Sequence, residues 1–441
     1  MTSAERLSRI QVPAWVDGLW LALCALFILA GVALVPYHGD EATQIFMGRD
    51  VYYGLDGEWD RLAATPFDAL DGEAAMEQHL RLINGTLPKA IYGAIDVVMG
   101  RSADELSAPW SWGAGWDWNL ENGAIKPDDP LLLATRTASA LFLAASVVVL
   151  FAIVRTVGGR IPAYLGTSYY VLSPALLING RRAMMEGPLL FFSLLAVWLA
   201  LHILQNRRWL GYVLFGIIGG LTVASKHPGM VTVALLYGSL GIVTLYQAWQ
   251  EKNLRFVIDH IMRLFIAGLL TIAVFVAMNP SWWQNPGLAI QLVVQERTRL
   301  LEEQSTALGG TNDLNERVNY FIRQTLIADP MYAEVDFFQP YITEQVAAYE
   351  ASPWAGIAIW GSPIGAVLLA ILAGIGGLML ALKRTSQTTL LVLWALGSII
   401  FVIVATPLEW QRYYLMAFPP FALLAGIGLW TPIQALIGRR V

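Results

Sequence analysis

The chain has 441 residues, 56% of them hydrophobic and only 14% charged, against about 25% charged in a soluble domain. Apolar runs recur along nearly the whole length, which excludes a soluble domain with one anchor and points to an integral membrane protein. The net charge of −5 comes without any long basic stripe, so nucleic acid is excluded as a partner, and a single cysteine, Cys24, excludes an internal disulfide.

The N-terminus carries Arg6 and Arg9 before an apolar stretch. No small-residue cleavage site precedes Tyr37, so the first helix is expected to be retained. Runs of about 20 apolar residues predict about ten spans, near 16–35, 134–153, 161–178, 187–204, 209–224, 229–247, 262–279, 355–382, 388–405 and 415–433. With that count, Arg6/Arg9, Arg155/Arg160, Arg207/Arg208, Lys252/Arg255/Arg263, Lys383/Arg384 and Arg439/Arg440 fall on one side. The positive-inside rule makes that side the cytoplasm and puts both termini there. Only Glu5, Asp17, Glu251 and Asp259 of the acids then lie inside.

Two long loops face outward, at about 36–133 and 280–354. Both carry aromatic and apolar residues at helical spacing. Asp40 to Tyr53 predicts one short helix and Leu87 to Met99, opened by Pro88, another. The expected fold is an all-α polytopic bundle forming a single domain over 1–441, with no repeat and no separate soluble part.

Four outward elements carry charge that the sidedness rule disfavours. They are Asp40-Glu41 after span 1, Arg181-Arg182 with Glu186 between spans 3 and 4, Lys226-His227 between spans 5 and 6, and Glu409 with Arg412 before span 10. Charges held this close to lipid often mark a site. Carboxylates beside cations suit acid–base work next to a phosphate leaving group. Each has a plainer alternative. Asp40 would cap a helix. Arg181 and Arg182 would snorkel to lipid phosphates. Glu186 would pair with Arg182 one turn away, Lys226 would anchor at the interface, and His227 would simply end a helix. Arg412 and the tryptophans Trp110, Trp112, Trp116 and Trp118 would join an aromatic belt.

In order and sidedness these elements resemble GT-C glycosyltransferases, near the protein O-mannosyltransferases and aminoarabinose transferases. Asp40-Glu41 resembles the family's acidic motif at the start of the first outer loop. Leu87-Pro88-Lys89 and Ala134-Thr135-Arg136 resemble the segments leading into and opening span 2. Arg181 through Phe192 is similar to a mannosyltransferase stretch, Ala224 through Gly229 to the family's lysine turn, and Arg412-Tyr413-Tyr414 with Pro419-Pro420 to its last outer turn. The long first loop departs from the pattern, as does the lack of a soluble domain after span 10.

The resemblance implies a membrane enzyme that moves a sugar from a polyprenyl-phosphate donor to a protein, lipid or glycan acceptor on the extracytoplasmic face, inverting the anomeric centre. Asp40 is the expected base, Glu41 its orienter or a sugar ligand. Arg181, Arg182, Lys226 and Arg412 are the expected phosphate cradle, with Glu186 and His227 in support. A divalent cation is left open, since an acidic pair can hold one. A transporter or flippase of lipid-linked molecules is the alternative; it calls for charges at mid-span and symmetric halves.

Overall fold

The computed structural model describes residues 13–439 apart from 253 and 307. Arg6, Arg9 and Arg440 of the inside cluster lie outside the described residues. The described residues form helices and connecting turns, with no strand among them.

Among the described residues, eight helices are long and apolar enough to cross a membrane. The ones used below are α1 (Ala14–Ala30), α6 (Asp129–Gly158), α9 (Glu186–Asn206), α11 (Gly229–Glu251), α12 (Leu254–Met278), α16 (Pro363–Lys383), α17 (Ser386–Ala405) and α18 (Phe418–Arg439). The expected third span is a bent pair, α7 (Arg160–Leu172) and α8 (Pro174–Arg181), with 62° between them. Proline explains the bend: Pro174 has no N–H to continue the ladder and pushes Ser173 to extended backbone, at ψ 118°. The expected fifth span is α10 (Trp209–Ser225), apolar but only 17 residues long. All ten predicted runs thus coincide with helices. One expectation needs correction. The run at 355–382 does not begin as a helix, because Gly356, Gly361 and Pro363 break it; residues before Pro363 form turns, and Ile357 N–H bonds Leu172 O at the end of α7.

The bundle packs α6 against α9, α10 against α12, α16 against α18 and α11 against α17, with α1 along α6. Its buried apolar cluster runs through Leu150, Val197, Leu236, Leu391 and Phe418. Polar residues gather at the two ends. At one end Asp17 accepts from Arg155 (2.8 Å), Arg160 (3.1 Å) and Tyr164 (2.5 Å), so the one acid at the start of α1 has its cations in place.

At the other end the two long loops form a helical layer. The first loop supplies α2 (Gly39–Phe46), α3 (Arg49–Leu55), α4 (Gly72–Ile83) and α5 (Thr86–Val98). The single helix expected from Asp40 to Tyr53 is therefore two. It breaks at Met47-Gly48, where a Cβ on Gly48 would come within 2.9 Å of the Gly93 backbone in α5. The second loop supplies α13 (Pro286–Thr306), α14 (Leu314–Phe321) and α15 (Gln339–Glu350). Between the layers Tyr37, Trp110, Ile178, Phe338 and Tyr349 form a second apolar cluster, which fixes the layer to the bundle.

Candidate active site

The start of α2 sorts the acidic pair into two environments. His38 caps the helix, its Nδ1 accepting from Asp40 N at 3.1 Å, and Glu41 closes the capping box by accepting from His38 N, also at 3.1 Å. Capping is thus done by His38 and Glu41, and the reading of Asp40 as a cap does not hold.

Glu41 is wholly buried. It accepts from Arg136 Nε and NH2, both at 2.7 Å, and from Ala183 N at 2.8 Å. Every lone-pair direction is engaged, and Arg136 additionally donates to Val35 O at 2.9 Å. Burial raises the Glu41 carboxyl, but the Arg136 guanidinium outweighs it and holds the group below its ordinary 4.5. Glu41 ties α2 to α6 and to the turn before α9.

Asp40 is one residue away and faces elsewhere. Its Oδ1 accepts from Trp112 Nε1 at 2.6 Å and its Oδ2 from Arg412. About a fifth of the side chain remains exposed. Burial raises this carboxyl too, but Arg412, with His38 and the Trp112 bond, keeps it below 3.8. Arg412 is over the rings of Trp410 (4.9 Å) and Tyr413 (5.4 Å), and its Nε is 3.5 Å from Glu334. Glu334 also meets His38 Nε2 at 2.5 Å. Since His38 Nδ1 accepts, the proton is on Nε2 and donates to Glu334. Glu334, buried but held low by His38 and Arg412, thereby fixes both the cap and the arginine beside Asp40.

The other predicted cations divide as well. Arg181 is fully buried and donates to Ile28 O (2.8 Å), Phe27 O (2.7 Å), Trp354 O (2.6 Å) and Tyr349 Oη (2.6 Å). It satisfies the free carbonyls at the end of α1. Arg182, equally buried, donates to Pro36 O and Tyr332 O. Both are braces behind the acidic pair, enclosed by protein groups and not turned to lipid. Lys89 is likewise enclosed. It and Arg81 each pair with Asp50 at 2.7 Å, locking α3, α4 and α5 together.

Lys226 is different. Its Nζ donates to Glu186 Oε1 at 2.6 Å and lies 5.2 Å from the Tyr413 ring centre. Glu186 therefore pairs with Lys226, across two turns of chain, instead of with Arg182. Beside it, His227 Nδ1 accepts from Arg297 of α13, which also donates to Ile83 O. Burial and the cations Arg297, Lys89 and Lys226 push His227 down to about 3. Gly85 brings the first loop to this turn: a Cβ there would lie 2.1 Å from Ser225 O, so no larger residue permits the approach.

These contacts, joined through neighbouring residues along the chain, close a circuit. Asp40 and Gln44 lie one turn apart on α2. Gln44 donates to Asn84 (3.5 Å), Gly85 N meets Met185 Sδ (3.2 Å), Glu186 binds Lys226, Lys226 faces Tyr413, and Arg412 returns to Asp40. Five of the residues named from sequence, Asp40, Arg412, Lys226, Glu186 and His227, belong to this circuit or adjoin it. Glu41, Arg181 and Arg182 stand behind it. Gln44, Asn84, His38, Arg297 and Glu334 escaped the sequence reading. Gln44, four residues after Asp40, was legible by helical spacing; Glu334 and Arg297, in the second loop, had no local signal. Among the described residues no three metal-ligating side chains come together.

Residues 110–283 match the family of dolichyl-phosphate-mannose-protein mannosyltransferases. No curated protein matches. Among solved structures the fold is similar to ArnT from Cupriavidus metallidurans bound to undecaprenyl phosphate, at 13% identity and a TM-score of 0.50, covering 96% of this chain and 63% of that one. It is similar to the apo oligosaccharyltransferase of Archaeoglobus fulgidus, at 13% identity and TM-score 0.53, over 97% of this chain and 51% of that one. Oligosaccharyltransferase AglB from Archaeoglobus fulgidus, in complex with an inhibitory peptide and a dolichol-phosphate, gives 12% identity and TM-score 0.51 over 97% of this chain and 52% of that one. The chain thus spans between about half and 63% of the length of these structures. The fold of this chain is thus similar to that of these membrane enzymes, and the family match over 110–283 lies within it.

Proposed function

We propose that the chain transfers one sugar from a polyprenyl-phosphate donor to a hydroxyl of a protein, lipid or glycan acceptor, at the extracytoplasmic end of the bundle. The observation that carries this reading is Asp40: a partly exposed carboxylate in a circuit with two cations, Arg412 and Lys226. Solved relatives of the same fold hold undecaprenyl phosphate or a dolichol-phosphate, which supports the donor class. The arginines and lysines expected on the opposite side support the extracytoplasmic placement.

The acceptor oxygen attacks the anomeric carbon while Asp40 takes its proton. The bond from that carbon to the phosphate oxygen breaks, and the polyprenyl phosphate leaves with the electron pair. Direct displacement inverts the anomeric centre. Arg412 and Lys226 neutralise the charge that grows on the phosphate. A carboxylate clamped by Arg412 is a weak base. Donor phosphate competes with Asp40 for that guanidinium, and a donor that wins the competition leaves Asp40 free to accept a proton. Glu334 and His38 keep the geometry meanwhile.

The test is transfer in vitro with the purified chain, radiolabelled polyprenyl-phosphate sugars and extracted membranes as acceptor. Wild type should label the acceptor fraction. Asp40→Asn, which keeps the side chain's size but takes no proton, should lower the rate by about two to four orders of magnitude. Wild-type turnover in Asp40→Asn removes Asp40 as the base.

A further inference from the structure

We propose that the end of the bundle opposite Asp40 holds one anionic glycerophospholipid, its phosphate on Arg155 and an acyl chain in the groove between α1 and α6. Neither the donor nor the acceptor named above enters into it.

The groove has a volume of about 460 Å³ and is lined by Asp17 and Leu21 of α1 and, on α6, by Val148, Phe151, Ala152 and Arg155. Both walls follow helical spacing. Asp17 and Leu21 are four residues apart, and Val148, Ala152 and Arg155 follow at four and three, so each set runs along one helix face. From Val148 to Arg155 is two turns, about 10 Å. That wall is apolar until it reaches the guanidinium, the order in which a phospholipid presents its chain and its phosphate.

Charge selects the headgroup. Asp17 is engaged on both oxygens, by Arg155 and Arg160 on Oδ2 and by Tyr164 on Oδ1. It takes NH1 of Arg155, and 48% of that side chain stays exposed. Among the described residues lining the groove or bonded there, one carboxylate stands against Arg155 and Arg160, and Lys383 adds a third cation at Val157 O, 2.7 Å away. The carbonyl end of α6 offsets about half a charge, and the N-termini of α1 and α7 return at least as much. The balance is positive. A guanidinium grips phosphate with two parallel bonds, and basic pockets between spans bind anionic headgroups. A zwitterionic headgroup would bring its ammonium to three cations and to a carboxylate whose oxygens are taken. An anionic headgroup meets no such conflict. Arg181 ties the far end of α1 through Phe27 O and Ile28 O; the lipid ties the near end to α6.

The experiment counts lipids bound to the purified full chain in neutral detergent by native mass spectrometry, with thermal unfolding alongside. The probes are phosphatidylglycerol, phosphatidylcholine with the same chains, and glycerol phosphate. Wild type should bind the first phosphatidylglycerol about tenfold more tightly than phosphatidylcholine and unfold at a higher temperature with it. Glycerol phosphate, which has no chains, should do neither. Arg155→Gln leaves Asp17 its bonds to Arg160 and Tyr164 and should cut the preference to about twofold. Ala152→Phe puts a ring into the groove, keeps every charge, and should weaken phosphatidylglycerol at least about fivefold. Equal affinity of wild type for the two lipids overturns the proposal and needs no variant. Undiminished binding by Ala152→Phe overturns the groove and leaves general surface charge. So does an equal loss in Arg208→Gln, whose exposed arginine is outside the groove lining. Binding of glycerol phosphate as tight as that of the lipid assigns a free anion instead. Polyprenyl phosphate that displaces phosphatidylglycerol assigns the groove to that carrier, which overturns the glycerophospholipid.

Discussion

Glu41→Gln should unfold the helical layer formed by the two long loops before it alters any chemistry. Glu41 receives four hydrogen bonds, two on each oxygen: Arg136 Nε and Ala183 N on Oε1, Arg136 NH2 and His38 N on Oε2. A glutamine amide must turn its NH2 toward one of these donor pairs, so two bonds become donor-against-donor contacts whichever way it sits. Arg136, with 6% of its side chain exposed, keeps Val35 O but loses its counter-charge. Removing one partner of a buried ion pair costs about 3–5 kcal/mol, a large part of the stability of a typical fold. The assay is thermal unfolding of the detergent-solubilised protein, with recovery of the monodisperse species alongside. Arg136→Met alone should be comparably destabilised, and Glu41→Leu with Arg136→Met should recover much of the loss, since no charge is then left unpaired. The pH sign follows from the depressed carboxyl. Its contribution is complete above the ordinary value of 4.5 and is lost only as the pH falls below that toward the lower folded value. Glu41→Gln with wild-type stability and slow transfer would refute this reasoning and return Glu41 to the catalytic chemistry.

Lys226→Ala should weaken donor binding by about 2 kcal/mol, the scale of one charge-assisted bond; unchanged affinity for polyprenyl-phosphate sugars would leave Lys226 as a partner of Glu186 alone. For topology, cysteines introduced at Asp60 and Asn315, both exposed, should react with an impermeant reagent from outside the cell, and labelling only after lysis would reverse the orientation. His227, pushed down to about 3 by burial and its neighbouring cations, binds a proton more readily unfolded than folded. Its drain on stability is absent above about 6.5 and grows as the pH falls from there toward 3. His227→Gln should flatten that slope in a pH series of unfolding curves, and an unchanged slope would assign the acid sensitivity elsewhere.

The spans were legible because a membrane helix needs an uninterrupted apolar run, and that run is a local property of the chain. Pro174 was equally visible; a 62° bend between α7 and α8 was not, since proline removes a hydrogen bond without fixing the direction the chain then takes. The site shows the same division. Asp40 and Glu41 are neighbours in sequence and look like one acidic motif. Successive residues on a helix point about 100° apart, so one carboxylate faces Arg412 and the other Arg136.

Arg181 and Arg182 also look like a pair of cations. One belongs to the carbonyls at the end of α1 and the other to Pro36 and Tyr332. Their expected position against the sidedness rule was a sound sign that something holds them at a cost. It did not say what. An arginine can be held by carbonyl oxygens at a helix end, by a carboxylate, or by a ligand, and only the partner distinguishes these. Arg181 and Arg182 have backbone oxygens and, for Arg181, the Tyr349 hydroxyl as partners, which makes them braces. Arg412 and Lys226 have carboxylates as partners, and on the donor reading proposed above an incoming phosphate competes with a carboxylate far more readily than with the folded backbone, because the side chain moves and the backbone does not. The acidic partners Asp40 and Glu186, more than the cations themselves, are therefore what mark the exchangeable end of the bundle.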